Sequence, residues 1–296
     1  MPAVPFDYEA PRTLQEAVEL LGAWGEEAKP LAGGQSLVPL LTLRLVRPRV
    51  VVDLAGLDEL KGVVREDGMV RIGALVRHRS LERGEGPLRL CPVLQEAASL
   101  VGNVRVRTLG TLGGSLAHAD PAAELPAAVR ALDGEIVVRG REGERTVPAS
   151  AFFTGVLATA LRPGELVTAV RVPVLGERTG WAVEEFSRRA GDFAIVASVA
   201  LVQLDPLGRI AGARVALAGV GPTPQRVESV EAALRGERAA VETVREVVAA
   251  CPLEIDPESD IHASAAYRRH LARVLTVRAL GRALLRAGRS HREEDP

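Results

Sequence analysis

Leu31-Ala32-Gly33-Gly34-Gln35-Ser36-Leu37-Val38-Pro39 lies between apolar runs of different period. Before it, Lys29 to Ala32 reads as a short strand that ends at the Gly33-Gly34 break. After it, Leu37 to Leu45 spaces its apolar residues as a helix, and Val50 to Leu54 reads as a buried strand. Strand, glycine turn, helix and strand in that order make a compact α/β subdomain. Upstream, Thr13-Leu14-Gln15-Glu16 is a capping box, and Leu14, Ala17, Val18, Leu20 and Leu21 line one face of a first helix that the pattern stops at Gly22.

From Val63 the pattern changes. Val63-Val64 and Val70-Arg71-Ile72 flank an Asp67-Gly68 turn, which predicts a hairpin and opens a second subdomain. It continues through a helix at Pro92 to Leu100, a glycine-rich stretch from Gly110 to Ser115, a helix over about 122–132, a hairpin over 135–147 and a strand over 166–172. The polar segment Pro173 to Gly180 is the expected boundary. Beyond it, Trp181 to Ser187, Ala194 to Leu204 and Ile210 to Ala218 read as antiparallel strands, with a turn at Asp205-Pro206-Leu207-Gly208. Helices follow over 225–234, 239–250 and 263–286, and Ser290 to Pro296 reads as frayed. The expected division is 1–176, with subdomains of about 1–56 and 57–176, and 177–296.

The 296 residues carry 37 basic and 38 acidic side chains mixed along the chain, so no basic face points to nucleic acid. Cys91 and Cys251 are the two cysteines, far apart, and cannot by themselves ligate an iron–sulfur cluster or a structural zinc. They read as ordinary thiols of a reducing compartment. The first residues lack a basic and apolar leader pattern, and no run of eighteen apolar residues follows. A cytoplasmic chain without membrane insertion is expected.

Chemistry is suggested by two glycine pairs, Gly33-Gly34 within Ala32 to Ser36 and Gly113-Gly114 within Thr111 to Ser115. A glycine lets backbone N–H groups come close to phosphate oxygens, and a helix start adds partial positive charge. Either pair alone reads as a turn; two suggest two walls of one site, with a pyrophosphate as natural occupant. Neither fits G-x-G-x-x-G or the P-loop, which disfavours a Rossmann fold and a nucleotide triphosphatase.

With its neighbours the pattern becomes specific. Leu31 to Pro39 and Arg107-Thr108-Leu109-Gly110-Thr111-Leu112-Gly113-Gly114-Ser115-Leu116-Ala117-His118-Ala119-Asp120-Pro121-Ala122-Ala123-Glu124-Leu125-Pro126 resemble the two flavin loops of the medium subunit of carbon-monoxide-dehydrogenase-type molybdenum hydroxylases, relatives of xanthine dehydrogenase. Phe186 to Ala194 and Ser259 to Arg269 continue the resemblance, which covers essentially the whole chain. It implies an α+β protein: a vanillyl-alcohol-oxidase-like (PCMH-type) FAD domain of two α/β subdomains, then a C-terminal α+β domain with a small antiparallel sheet and helices.

By residue, the resemblance implies that Ala32, Gly33, Gly34, Gln35, Ser36 and Leu37, with Thr111, Gly113, Gly114 and Ser115, hold the pyrophosphate and neighbouring parts of a non-covalent FAD. Glu124 stands where the family usually has an aspartate near the cofactor, and Leu166 where a backbone contact is expected. There are two departures. Arg107-Thr108-Leu109-Gly110-Thr111 replaces Arg-Asn-Arg-Gly-Thr, and Glu185 replaces a lysine close to the flavin, which reverses a charge beside a redox centre.

The function so implied is electron transfer. Substrate is oxidised at a molybdenum cofactor on a large partner subunit, [2Fe-2S] clusters on a small partner pass electrons on, and FAD here delivers them to an external acceptor, within a dimer of heterotrimers. No side chain of this chain is then a catalytic acid or base, and none is a metal ligand. Alternatives are a self-contained FAD-dependent oxidoreductase, for which the sequence offers no histidine–tyrosine or paired-carboxylate constellation, and an assembly subunit without FAD. His118 and Asp120 read as turn and cap residues. His262 and His270 read as structural or exposed, and Arg268-Arg269 with the Arg-rich final helix as a helix face charged for solubility, the alternative being a partner contact.

Overall fold

The structure is a computed structural model that describes residues 5–289; the expected fraying of 290–296 lies outside the described residues. Near the N-terminus, strand Val50–Asp53 pairs in parallel with Asp7–Glu9 on one side and Ala28–Leu31 on the other. Its three valines are at most 1% exposed, as befits the central strand of a parallel sheet covered on both faces. Helix Leu14–Trp24 covers this sheet with Leu14, Ala17, Val18 and Leu21. The Thr13 hydroxyl accepts from Glu16 N at 3.2 Å, and the Glu16 carboxylate accepts from Arg12 N at 2.7 Å, one residue before the cap. The helix does not stop at Gly22. It runs on to Trp24 and ends at Gly25, whose φ of +53° breaks it; Gly22 is instead where Arg141 and Gly164 lie hard against the helix.

The second unit is a five-stranded antiparallel sheet in the order Val63–Glu66, Met69–Gly73, Leu166–Pro173, Glu135–Gly140, Gly143–Pro148. Helices Pro92–Leu100, Leu112–His118 and Glu124–Ala131 pack on it through Leu94, Ala97, Leu112, Leu116, Leu125 and Ala128, all fully buried. Among the short helices absent from the sequence reading are His78–Arg83, Val104–Leu109 and Leu112–His118. Each is six or seven residues long, too short for an apolar periodicity to declare itself.

In the C-terminal part, strands Thr179–Phe186, Val196–Leu204, Ile210–Ala218 and Gln225–Arg226 form an antiparallel sheet in chain order. Gln225 and Arg226, expected in a helix, pair with Leu217 and Ala216, and the helix begins only at Glu228. Alternation gives this sheet two buried faces. Ala182, Ala200, Val202 and Leu217 meet Ala272, Leu275, Ala279 and Ala283 of the long helix Ala265–Arg289. Val183, Ala197, Val199, Leu201 and Ala216 join the same apolar cluster as helix Glu124–Ala131. Charge reinforces the junction: Glu96 accepts from Arg282 (2.7 Å) and Arg286 (2.5 Å), and Arg226 bridges Asp133 (2.5 Å) and Glu231 (2.6 Å). Arg268 is part of this framework rather than a surface contact, being 8% exposed and donating to Ile195 O and Gly219 O.

Candidate flavin site

The two glycine segments, some eighty residues apart in sequence, touch. A Cβ on Gly33 would overlap the carbonyl oxygen of Leu109 and lie 2.9 Å from Gly110 Cα, and one on Gly114 would lie 3.8 Å from Ala32 Cβ. Gly33 thus needs its missing side chain so that the backbones can meet. Gly34 adopts φ +70°, which turns the chain from the strand into helix Leu37–Thr42.

Their hydrogen bonding differs. Among the described residues, no acceptor takes a bond from the backbone N–H of Ala32, Gly33, Gly34, Gln35, Ser36 or Leu37; the Gln35 amide donates to Gly33 O at 3.0 Å, and the chain is next anchored by Val38 N donating to Gly34 O. Six successive donors left open beside a helix start form a cradle for an anion. The second segment is the first turn of a helix and not a loop. Thr111 caps it, its hydroxyl accepting from Gly114 N at 3.1 Å and its carbonyl from Ser115 N at 3.0 Å, while Leu112 N and Gly113 N donate to Val76 O and Ala74 O. Gly113 is there because Ala74 leaves no room for a Cβ. This segment therefore supplies a wall more than a row of donors.

At the far end of the same helix cluster, Glu124 opens helix Glu124–Ala131 and is 3% exposed. Burial first, then the charges of Glu185 and Asp120, push its carboxyl up to about 8. Glu185 projects from the C-terminal sheet onto the face shared with that helix; burial pushes it up to about 7, and its Oε2 is buried without a partner among the described residues. The fold thus creates a carboxyl pair that the sequence, in which the two stand 61 positions apart, did not reveal. Leu166 is buried at 3% and its side chain belongs to the N-terminal core; two residues on, Thr168 O accepts from Ala74 N, the residue that braces Gly113.

His78 was not anticipated. It is 5% exposed and sits beneath Gly110, where a Cβ would come within 2.8 Å of its Nδ1. Its backbone N donates to Gly110 O, and neither ring nitrogen has a partner in good geometry among the described residues. Burial takes its imidazole down to about 4, against a nearby Thr111 backbone group that raises it, with the charges of Arg77 and Arg107 adding to the fall. Arg77 also donates to Leu109 O from above. Nothing in the pattern around Val76-Arg77-His78 signals this support, because it depends on contact with a segment thirty residues away.

Residues 4–175 match the model of the FAD binding domain in molybdopterin dehydrogenase, and residues 181–283 that of the CO dehydrogenase flavoprotein C-terminal domain. The chain belongs to this flavoprotein family. It is 38% identical over 282 residues to the 6-hydroxypseudooxynicotine dehydrogenase complex subunit alpha of Paenarthrobacter nicotinovorans, covering 95% of both chains. It is 37% identical to the caffeine dehydrogenase subunit beta of Pseudomonas sp. (strain CBB1), covering 96% of both. A chain of the carbon monoxide dehydrogenase from Hydrogenophaga pseudoflava superposes with a TM-score of 0.89 at 37% identity, over 97% of this chain and 99% of that one. The protein is an oxidoreductase subunit that binds FAD, with the α+β architecture of these flavoproteins. No helix among the described residues is long and apolar enough to cross a membrane.

For a molybdopterin dehydrogenase flavoprotein the open donors of Ala32 to Leu37 fit a pyrophosphate, as the contact-bonded second segment fits a supporting wall. His118 ends its helix and Asp120 accepts from Ala122 N at 2.9 Å, so both are turn residues. His262 faces Arg188, and His270 stacks on Tyr267. The carboxyl pair predicts a pH signature. Both groups are raised in the folded chain, so it holds protons that the unfolded chain releases near 4.5; their contribution is intact below that pH and is lost as pH rises through about 7 and 8. Glu124→Gln is expected to match the parent at pH 5 and to melt higher at pH 9, by about 5 °C. A thermal melt of both proteins at the two pH values checks this; a parent that melts higher at pH 9 would refute it.

Proposed function

We propose that this chain is the electron-transfer flavoprotein of a molybdenum hydroxylase, receiving electrons from iron–sulfur clusters on a small partner and passing them to an external acceptor. Substrate oxidation then takes place at molybdenum on a large partner, in a dimer of three-subunit units in the cytoplasm. The relatives' names support the subunit reading, since one is called a complex subunit alpha and another a subunit beta, of dehydrogenases named for quite different compounds. FAD, when bound, supplies the capacity to exchange electrons singly on one side and in pairs on the other.

The observation that carries this reading is the row of open N–H groups from Ala32 to Leu37. In the proposal these bind the pyrophosphate, Gly33 and Gly110 keep the two backbones close, Thr111 and Ser115 line the opposing wall, and Glu124 and Glu185 face the cofactor between the domains 1–176 and 177–296. Burial raises the Glu185 carboxyl to about 7, so that near neutral pH it places only part of a negative charge there. The same carboxyl pair is the one feature that favours a self-contained oxidoreductase, as it could move a proton for a bound substrate.

The deciding experiment is anaerobic reduction of the whole complex and of the isolated, FAD-loaded chain by substrates of the relatives. Bleaching of the flavin band only in the complex supports electron transfer from a partner. Bleaching in the isolated chain supports the self-contained reading, and a complex without FAD sinks both.

A further inference from the structure

Two leucines that a globular chain ordinarily covers stand in water two residues apart. Leu43 and Leu45 are each 69% exposed, and Val38, on the helix before them, is 48% exposed. The backbone that displays them is tied down: Leu43 N donates to Pro39 O (2.9 Å), Arg44 N to Leu41 O (3.1 Å) and Leu45 N to Leu40 O (2.9 Å). Arg44 sits between them at φ +59°, a left-handed conformation that a non-glycine residue keeps only where its surroundings hold it. A helix end of this kind usually folds the next apolar residue back onto the last turn. Here Leu45 is turned outward instead, so the pair is displayed by a bonded scaffold.

This surface continues into the cofactor cradle. The Cβ position of Gly34 is 3.1 Å from Val38, and Gly33 abuts Leu109, which with Val104 on the adjoining helix is 51% exposed. The rim is also cationic. Residues 28–52 and 97–119 contain no Asp or Glu but carry Lys29, Arg44, Arg47, Arg49, Arg105 and Arg107, in a chain whose net charge is −1. Of these, Arg49 is paired with Glu27 and Arg107 with Glu82, while Arg47 and Arg105 are exposed.

A second copy of the chain meeting this face across a two-fold axis would oppose like charges. The occupant should instead bring an apolar patch edged by carboxylates. We propose that the rim formed by Val38, Leu43 and Leu45, with Val104 and Leu109 across the cradle, is the docking surface for a partner subunit carrying such an acidic-edged apolar patch. This rests on the reading of the chain as a subunit of a molybdenum hydroxylase. Exposed apolar side chains set in a cationic border supply affinity from the centre and steering from the edge.

The test uses the complete complex, produced with its own partner chains. With the double variant Leu43→Gln/Leu45→Glu, the share of flavoprotein that elutes with the complex is expected to fall at least tenfold, with the melting temperature of the chain unchanged. Arg47→Glu, a charge reversal at an exposed position, is expected to release the chain at lower salt than the parent. Assembly of both variants like the parent would overturn the docking surface and leave the functional reading intact. Loss of self-association with the complex preserved would also overturn it, assigning the rim to a second copy. A parent chain that never joins iron–sulfur and molybdenum subunits would instead remove the reading on which the surface rests.

Discussion

Gly33→Val is expected to strip the protein of most of its flavin. The substitution places a side chain where Leu109 O, Leu109 C and Gly110 Cα already stand, and all three belong to backbone that Arg77 and His78 brace from the other side. A flexible side chain could swing away; a braced main chain must move as a unit, separating the two glycine segments and redirecting the open N–H groups beside them. Each tenfold loss in affinity corresponds to about 1.4 kcal/mol, and misdirecting several charge-assisted donors exceeds that, so FAD per chain is expected to drop below about a tenth of the parent's. Absorbance of the purified complex together with released-cofactor analysis reads this directly. Gly62→Ala is the matched control, because a Cβ there meets nothing within 4 Å. Full FAD retention by Gly33→Val would show that the contact with Leu109 does not shape the cradle.

The second large effect concerns folding. At Gly180 a Cβ would overlap Ala283 O and Ala287 N and lie 2.9 Å from Ala283 C, all main-chain atoms of the long helix. Gly180→Ala must push strand and helix apart along a seam where Ala279 and Ala283 are fully buried. Overpacking of this kind costs about 1–3 kcal/mol or somewhat more. At roughly 2–4 °C for each kcal/mol, a fall of about 10 °C is expected in a thermal melt. Gly212→Ala in the same sheet has open space and should melt like the parent. Equal melts for the two variants would mean that the helix accommodates the methyl by sliding.

Local pattern made part of this legible. The strand, glycine turn, helix and strand around Ala32, the valine run at 50–52 and the alternating strands of the C-terminal sheet are short-range signals, and the structure has them. Helix ends were less legible, because Gly22 reads as a stop while the chain uses Gly25; a glycine placed for close packing and one placed for φ > 0 look alike in sequence. The second glycine pair was misread as a loop for the same reason: Gly113 is dictated by Ala74, which is distant in the chain. The partners of His78, the pairing of Glu124 with Glu185 and the inward turn of Arg268 arise only when separate elements meet. Such contacts leave no periodicity behind.

The sheet over 179–226 gives one face to the long helix and the other to the apolar cluster of the preceding half. Neither half is therefore a self-sufficient building block. A gene fusion, truncation or transplant that carried one without the other would strand an oily sheet face or an uncovered helix in water.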